Sequence, residues 1–324
     1  MLYYISRRKH MKDWQIITII IISVLLILTI LTSLICYLMA FYSGNKKHKN
    51  NEINLPNNEI YRTFRDLIIS DIEIARKLNF KEFTVKSFDG LTLYGKYFES
   101  FEGAPIEIMF HGYRGDGERD LSTGIRRAKA CSRNVLIVDQ RGHGKSDGHT
   151  ISFGIKERHD VITWTNKVIE EFGPDIQIIL TGISMGAATV MMASNLDLPS
   201  NVIGILADCG YDSPKNIIKK YISDMHLPAT LFYPFVKLGA LLFGHFNVDS
   251  ASPINSVKES KVPIIFIHGE KDTFVPCYMS EKLYNACSNK KHLTIIKDAE
   301  HGISYLFNPD LYVQELEYFF KDKK

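Results

Sequence analysis

The sequence predicts an α/β fold with a mostly parallel sheet and helices on both of its faces. Short apolar runs rich in β-branched residues alternate with longer stretches typical of helices. Parallel strands need crossover connections that are usually helical, so this alternation indicates a parallel sheet. The predicted strands lie at residues 106–110, 134–139, 176–181, 202–208, 263–268 and 292–297.

The segment before these strands predicts an antiparallel edge for the sheet. Residues 83–87 and 91–98 have the composition of strands, and the turn signal Phe88-Asp89-Gly90 separates them. An amphipathic helix is expected over residues 61–78, ahead of this hairpin. The chain from residue 61 to residue 324, which is 264 residues, suits one α/β domain.

The front of the chain predicts a membrane anchor. Residues 16–42 form an almost uninterrupted apolar run without a charged residue. That run can cross a hydrocarbon core of about 30 Å, and it exceeds the ~7–15 apolar residues of a signal peptide. The Leu38-Met-Ala40 end is also a poor cleavage site. We therefore expect a short basic tail at 1–15, a transmembrane anchor at 16–42 and a polar linker at 43–60.

The side of the membrane on which the domain lies stays open at this stage. Four basic residues precede the anchor and three follow it, which weakly favours an extracytoplasmic domain. The four cysteines that follow the anchor are not spaced like a disulfide framework, which fits a cytosolic domain slightly better. The basic residues are Arg7, Arg8, Lys9 and Lys12 before the anchor, and Lys46, Lys47 and Lys49 after it.

Composition and motifs argue against several classes of partner. The formal net charge is +3, and its excess surrounds the anchor, where basic residues favour anionic membrane lipid. A basic stripe with interleaved aromatics is missing from the sequence, so we expect no nucleic-acid partner. Gly144-Lys145-Ser146 ends like a phosphate-binding loop, but Asp139 stands where its first glycine belongs. Because zinc-like spacing of Cys and His is also missing, we expect no metal and no cofactor.

Gly182-Ile183-Ser184-Met185-Gly186 is the most informative stretch of the chain. It follows a predicted strand and precedes a helix of small residues. A sharp turn in that context exposes the serine hydroxyl above the sheet, while the flanking glycines let backbones approach closely. Ser184 is therefore the predicted nucleophile.

A serine nucleophile needs a base, and the base needs an orienting acid. Asp272 follows the strand at 263–268, at the sheet edge where such enzymes place their chemistry. Glu270 and Asp208 are the rival acids. His301 follows the last predicted strand and completes the chain order serine, acid, histidine.

Acyl transfer also needs donors for the negative oxygen that forms during attack. The backbone N–H of Met185 directly follows the nucleophile, and we expect the N–H of Tyr113, in the loop 111–117, to be the second donor. His111, in the same loop, is expected to have a structural role.

Together these pieces resemble the α/β-hydrolase family, of the serine-esterase kind. They are His111-Gly112, the stretch 139–148, Gly182–Gly186, His268–Asp272 and Glu300-His301-Gly302. The chain is similar to bacterial membrane-anchored hydrolases and to the monoacylglycerol-lipase and serine-aminopeptidase-like groups. The resemblance implies a triad of Ser184, Asp272 and His301, with the Tyr113 and Met185 amides as oxyanion hole, and it leaves the substrate open.

An insertion at about 212–256 stands where this fold usually carries a cap. Its apolar stretch over 228–246 either lines an acyl-chain pocket as a lid or packs on the sheet. A second membrane span is disfavoured, because Pro228, Pro234 and Lys237 interrupt the stretch.

These features favour a membrane-anchored serine hydrolase that cleaves carboxylic esters with an apolar acyl group. The alternatives are a peptidase, aminopeptidase or acyl thioesterase with the same triad, or a non-catalytic binding protein on this fold.

Overall fold

The computed structural model describes residues 13–44, 53, 55 and 62–321. Among these residues, eight strands form one sheet in the order β1-β2-β4-β3-β5-β6-β7-β8. The strands are β1 (Lys81–Lys86), β2 (Thr92–Phe98), β3 (Ile106–Phe110), β4 (Asn134–Asp139), β5 (Ile178–Ile183), β6 (Val202–Asp208), β7 (Ile264–Gly269) and β8 (Lys291–Ile296).

The described helices surround this sheet. They are α1 (Asp13–Ala40), α2 (Arg65–Lys77), α3 (Gly117–Ala130), α4 (Glu157–Phe172), α5 (Met185–Ala193), α6 (Pro214–Asp224), α7 (Ala229–Leu242), α8 (Pro253–Ser256), α9 (Tyr278–Ala286), α10 (Ser304–Phe307) and α11 (Pro309–Phe320), with a 3₁₀ turn at Val257–Glu259.

The predicted α/β-hydrolase fold is confirmed. β2 pairs antiparallel with both β1 and β4, and every later pair is parallel. The chain runs from β3 outwards to β4 and then returns to β5 on the other side of β3. The strand order therefore reverses between β3 and β5, and an open parallel sheet binds its ligands outside the carboxyl ends of such neighbours.

Burial on both faces explains why the central strands are mostly apolar. All residues of β3 and β7 are buried. Such a strand reads as a continuous apolar run, because helices cover both sides of the sheet. The largest core cluster joins the sheet to α4 and α5 through Trp164, Val168, Val190 and Met191.

A buried carboxylate lies in the central strand β3. Glu107, in the middle of β3, is fully buried and accepts hydrogen bonds from Arg127 at 2.6 Å and Arg133 at 2.6 Å. Thr181 on β5 donates a further bond to it at 3.0 Å. Burial by itself raises the pKa of Glu107, but the two guanidinium groups outweigh it and lower the pKa to about 2.

The N-terminal helix and the insertion lie against each other. α1 is long and apolar enough to cross a membrane by length and composition. The insertion contains α6, α7 and α8, and α7 packs along the C-terminal half of α1. Most of the predicted tail and linker lies outside the described residues.

The charge on Glu107 should stabilise the fold, and Glu107→Gln tests this. Removing it leaves Arg127 and Arg133 buried without a charged partner, which should cost about 3–5 kcal/mol at neutral pH. The pKa of Glu107 is lower in the folded than in the unfolded state. The stabilisation by its charge is therefore complete above about pH 4.3, the pKa of a glutamate in the unfolded chain. It is lost as the pH falls towards 2.

Urea unfolding in detergent, measured from pH 7 down to pH 3, checks both parts of this prediction. Asp197→Asn is the matched control, because its carboxylate pairs with Lys261 on the surface. A difference between wild type and Glu107→Gln that does not shrink on acidification would contradict the electrostatic explanation.

Candidate active site

Ser184 lies between the end of β5 and the first residue of α5, in a strained backbone conformation. Its φ of 56° and ψ of −115° are unusual for a residue with a side chain. Two hydrogen bonds hold the turn: the Ser184 N–H donates to the carbonyl of Asp208 at 2.9 Å, and Ala188 N–H donates to the Ser184 carbonyl at 3.1 Å. Strain of this kind persists only where the surroundings fix it, and it is concentrated at functional sites.

The two glycines of the turn are required by close backbone contacts. A Cβ on Gly186 would lie 2.0 Å from the carbonyl oxygen of Phe110 on β3. A Cβ on Gly182 would lie 2.2 Å from the carbonyl group of Gly186. Real Cβ atoms do not approach backbone this closely, so α5 can begin beside β3 only with glycine at both positions.

Asp272 and His301 form the hydrogen-bonded pair that the sequence predicts. His301 Nδ1 lies 2.7 Å from Asp272 Oδ2. The other carboxylate oxygen accepts the backbone N–H groups of Phe274 at 2.9 Å and Val275 at 2.8 Å. Burial acts to raise the pKa of Asp272, but the hydrogen bonds from two histidines outweigh it and hold the pKa well below its usual range. Asp272 is therefore a fixed negative charge.

The second of these histidines, His268, was missed as a site residue by the sequence reasoning. It is fully buried, and its Nε2 lies 3.1 Å from Asp272 Oδ2 and 2.8 Å from the Val275 carbonyl. Both neighbours are acceptors, so Nε2 carries the hydrogen, and Nδ1 accepts from the Ser280 hydroxyl at 2.6 Å. His268 thus donates to the same oxygen of Asp272 as His301 and helps to fix that carboxylate. Its place at the end of a buried strand, four residues before Asp272, was the available signal.

The rival acids have other partners. Glu270 is exposed, and it accepts the backbone N–H of Asp298 at 3.1 Å. Asp208 accepts the Tyr312 hydroxyl at 2.8 Å, and burial raises the pKa of its carboxyl group. Of the three candidate acids, Asp272 is the one paired with His301.

A thiol accompanies the Asp272–His301 pair. Among the described residues, Cys209 Sγ, a carboxylate oxygen of Asp272 and a ring nitrogen of His301 lie within 4.8 Å of one another, a grouping that could hold a metal ion. Burial raises the pKa of the Cys209 thiol far above its usual value, which disfavours the thiolate that metals bind. A metal there would also displace the hydrogen bond between Asp272 and His301.

The loop after β3 approaches Ser184 through its backbone. A Cβ on Gly112 would lie 3.6 Å from Ser184 Cβ. The Gly112 N–H donates to Asp120 at 3.1 Å, so it is occupied. Within the described part of the chain, the N–H groups of Tyr113 and Met185 have no such hydrogen bond, which leaves them available to a ligand.

His111 has the structural role that the sequence predicts. Its Nε2 accepts the backbone N–H of Gln140 at 3.0 Å, and the side-chain amide of Gln140 donates to the His111 carbonyl at 2.6 Å. The residue is fully buried, so it braces the loop after β3 against the loop after β4.

Ser184 and His301 line one cavity of about 320 Å³. Its apolar wall comes from α2, α3 and the segment around α10. Residues 212–256 are not among the lining residues of this cavity. The insertion reaches its edge, since the ring of Tyr221 on α6 lies 5.1 Å from that of Phe274, while α7 packs against α1. The apolar lining residues are Leu55, Ile68, Met109, Leu121, Phe274, Ile303 and Leu306.

Comparison with known proteins identifies a family model and relatives that match this chain. A family model described as serine aminopeptidase, S33, matches residues 105–223. Uncharacterized protein YqkD of Bacillus subtilis is 28% identical over 191 residues, which are 57% of this chain and 61% of YqkD. The chain thus spans about three fifths of that relative. The lysophosphatidylserine lipase ABHD12 of Danio rerio is 24% identical over 208 residues, or 61% of this chain and 51% of that protein.

Solved structures show the same fold. The esterase Pf2001 of Pyrococcus furiosus superposes with a TM-score of 0.61 at 23% identity, over 86% of this chain and 99% of the esterase. The acylaminoacyl peptidase of Pyrococcus horikoshii superposes with a TM-score of 0.54 at 19% identity, over 77% of this chain and 42% of the peptidase. At these identities the likeness establishes the fold alone.

Gly186→Ala tests the tight contact between Gly186 and β3. Gly186→Ala forces either the Phe110 carbonyl or α5 to move, and we expect a loss of stability of at least about 2 kcal/mol. Gly44→Ala is the control, because its Cβ would meet nothing within 4 Å. Urea unfolding of the two variants compares them. Equal stability of both variants would contradict the close approach described above.

Proposed function

We propose that this chain, which has the α/β-hydrolase fold, is a membrane-anchored serine hydrolase cleaving carboxylic esters that carry an apolar acyl group. The observation that carries this proposal is the shared cavity. It is lined both by Ser184, on its strained turn, and by His301, which is paired with Asp272. This is the arrangement that nucleophilic acyl transfer requires.

In the proposed reaction, His301 Nε2 takes the proton of the Ser184 hydroxyl as its oxygen attacks the ester carbonyl carbon. The bond from His301 Nδ1–H to Asp272 fixes the ring, so that Nε2 is the basic nitrogen. The tetrahedral intermediate then collapses, and His301 returns the proton to the departing alcohol. Water, deprotonated by His301, attacks the acyl-Ser184 ester and forms a second tetrahedral intermediate. As this intermediate collapses, His301 returns the proton to Ser184 Oγ and the carboxylic acid leaves.

The negative oxygen of the intermediate would be held by the backbone N–H groups of Met185 and Tyr113. Two observations support this assignment: both amides are free of other partners among the described residues, and the loop after β3 reaches Ser184 through Gly112. Losing one such donor typically costs on the order of 10²–10³ in rate.

The apolar wall of the cavity supports the choice of an apolar acyl group. Ile68 on α2 and Leu306 on α10 belong to one buried apolar cluster, and both line the cavity together with Ile303. Esters bring an apolar chain to such a wall while the carbonyl stays at Ser184. The names of similar proteins, an esterase and a lysophosphatidylserine lipase, agree with this choice.

Membrane anchoring is supported by α1 itself. The side chains of its first two thirds are mostly exposed, and nearly all of them are apolar. Tyr37 and Phe41, at its end, are buried against the rest of the protein. Cleavage near Ala40, as in a signal peptide, would remove Tyr37 from this core, which favours a retained anchor. The small excess of basic residues before the anchor favours an extracytoplasmic domain.

Ser184→Ala should abolish labelling by a fluorophosphonate probe, which reacts with activated serine hydroxyls. Ser288→Ala is the matched control, since Ser288 is an exposed serine far along the chain from the turn. Gel fluorescence after treatment of the full-length protein in detergent measures the labelling. Persistent labelling of Ser184→Ala would refute the nucleophile.

The substrate class has a separate test. We expect turnover of p-nitrophenyl esters to rise with acyl length, because longer chains bury more apolar surface against the cavity wall. Ile68→Trp should shift the preferred length to shorter chains by filling that wall. A preference for aminoacyl-amides or for acyl thioesters over matched esters would instead assign a peptidase or a thioesterase. If Ile68→Trp preferred the same acyl length as the wild type, the acyl chain would not bind against the cavity wall at Ile68.

A further inference from the structure

The C-terminal third of α1 is built into the hydrolase domain. Ser33 is fully buried, and a Cβ on Gly239 of α7 would lie 2.3 Å from the Ser33 carbonyl oxygen. Helices approach this closely only where a residue without a side chain faces the partner backbone. α7 therefore holds α1 in a fixed position.

An aromatic cluster continues this contact beyond α7. Phe41 is fully buried, and its ring meets those of Phe153 at 5.7 Å and Phe246 at 5.1 Å, both edge to face. Such pairs contribute beyond their buried area. The chain end after α1 is thus anchored in the core next to the candidate site, where Phe153 also contacts the Tyr113 ring at 5.0 Å.

Backbone pairing fixes the residues that follow. Tyr42 forms an antiparallel bridge with Thr150. The Ser43 N–H donates to the His149 carbonyl at 2.8 Å, and the Ile151 N–H donates to the Phe41 carbonyl at 2.8 Å. This segment is therefore paired with the loop after β4 through an isolated bridge. A flexible tether would not need such pairing.

The last carbonyls of α1 receive their donors from the loop after β3. The Tyr113 hydroxyl donates to the Ala40 carbonyl at 2.8 Å. The Arg114 guanidinium donates to the Met39 carbonyl at 2.7 Å and to the Tyr42 carbonyl at 3.3 Å. Carbonyls at a helix end lack partners within the helix, and a cation is favoured at that end. The loop thus caps the helix, and the helix holds the loop.

This loop carries the amide that the proposed function assigns to the oxyanion hole. Arg114 adopts a φ of 53°, uncommon for a residue with a side chain, and its N–H donates to His143 at 3.1 Å. The backbone is held by His143 from one side, and the two side chains are held by α1 from the other. The loop conformation that sets the direction of the Tyr113 amide therefore depends on the end of the anchor.

We propose that the end of the membrane anchor is a positioning element of the active site, holding the oxyanion loop through Tyr113 and Arg114. This inference rests on the proposed function. The exposed part of α1, residues 13–31, is roughly 28 Å long at 1.5 Å per residue, close to a hydrocarbon core of about 30 Å. The C-terminal third of α1, which is docked on the domain, begins where this exposed part ends. A single helix therefore connects the proposed membrane span to the oxyanion loop.

The first experiment tests the docking without any activity. A protease site is inserted between Lys47 and His48 of the full chain, which is placed in a lipid nanodisc and held on a resin by an N-terminal tag. After cleavage and a wash in 1 M NaCl, the domain should stay on the resin through its contacts with α1. Release of the cleaved domain would overturn the proposal.

Two glycine variants make this experiment specific. Gly239→Val places a side chain against Ser33 and should release the cleaved domain, whereas Gly44→Val adds a side chain in open space and should leave it bound. Retention of cleaved Gly239→Val would show that lipid contacts, rather than α1, hold the domain, and would contradict the docking.

The second experiment tests the positioning role. Tyr113→Phe combined with Arg114→Met removes the side-chain bonds to α1 but keeps both backbone amides. We expect kcat on a p-nitrophenyl ester to fall about 10-fold or more with KM within about twofold, because oxyanion donors act in the transition state. Arg65→Met, at an exposed arginine, is the control. An unchanged kcat, or a loss confined to KM, would overturn the proposal. An inactive wild type would count against the proposed function instead, and the retention result would still decide the docking.

Discussion

The strained conformation of Ser184 is the constraint on which the candidate site depends. The turn is possible because β3 and β5 lie side by side where the strand order reverses, with Gly186 in contact with the Phe110 carbonyl. The same adjacency brings the loop after β3 to the serine. One backbone contact therefore sets the position of the nucleophile, the start of α5 and the approach of the oxyanion loop.

Two buried carboxylates, Asp272 and Glu107, are held by hydrogen bonds and ion pairs near the site and deeper in the sheet. Asp272 is held as a carboxylate by two histidines and two backbone N–H groups, so His301 has one preferred ring orientation. Glu107 has a comparable role deeper in the sheet, where two arginines keep its charge in the core. Both buried carboxylates are tolerated because hydrogen-bond donors surround them. These hydrogen bonds also keep the strand ends beneath the site rigid.

Local patterns in the sequence predicted much of this arrangement. Apolar strand runs gave the parallel sheet, because strands buried on both faces have a recognisable composition. Chain order after the Ser184 turn gave Asp272 and His301, which the structure brings together; their catalytic roles stay predictions. The docking of α1 on α7 and the absence of the insertion from the lining of the cavity were not predictable. Both depend on contacts between segments far apart in the chain, which leave no periodic signal.

An experimental structure of the full-length protein after reaction with a phosphonate ester would test the proposed site directly. We expect a covalent bond from phosphorus to Ser184 Oγ, with the phosphonyl oxygen about 3 Å from the amides of Tyr113 and Met185. We also expect the Ala40 carbonyl to keep its hydrogen bond from the Tyr113 hydroxyl. An adduct on another residue, or an oxygen directed away from both amides, would show that the proposed nucleophile or oxyanion hole is wrong.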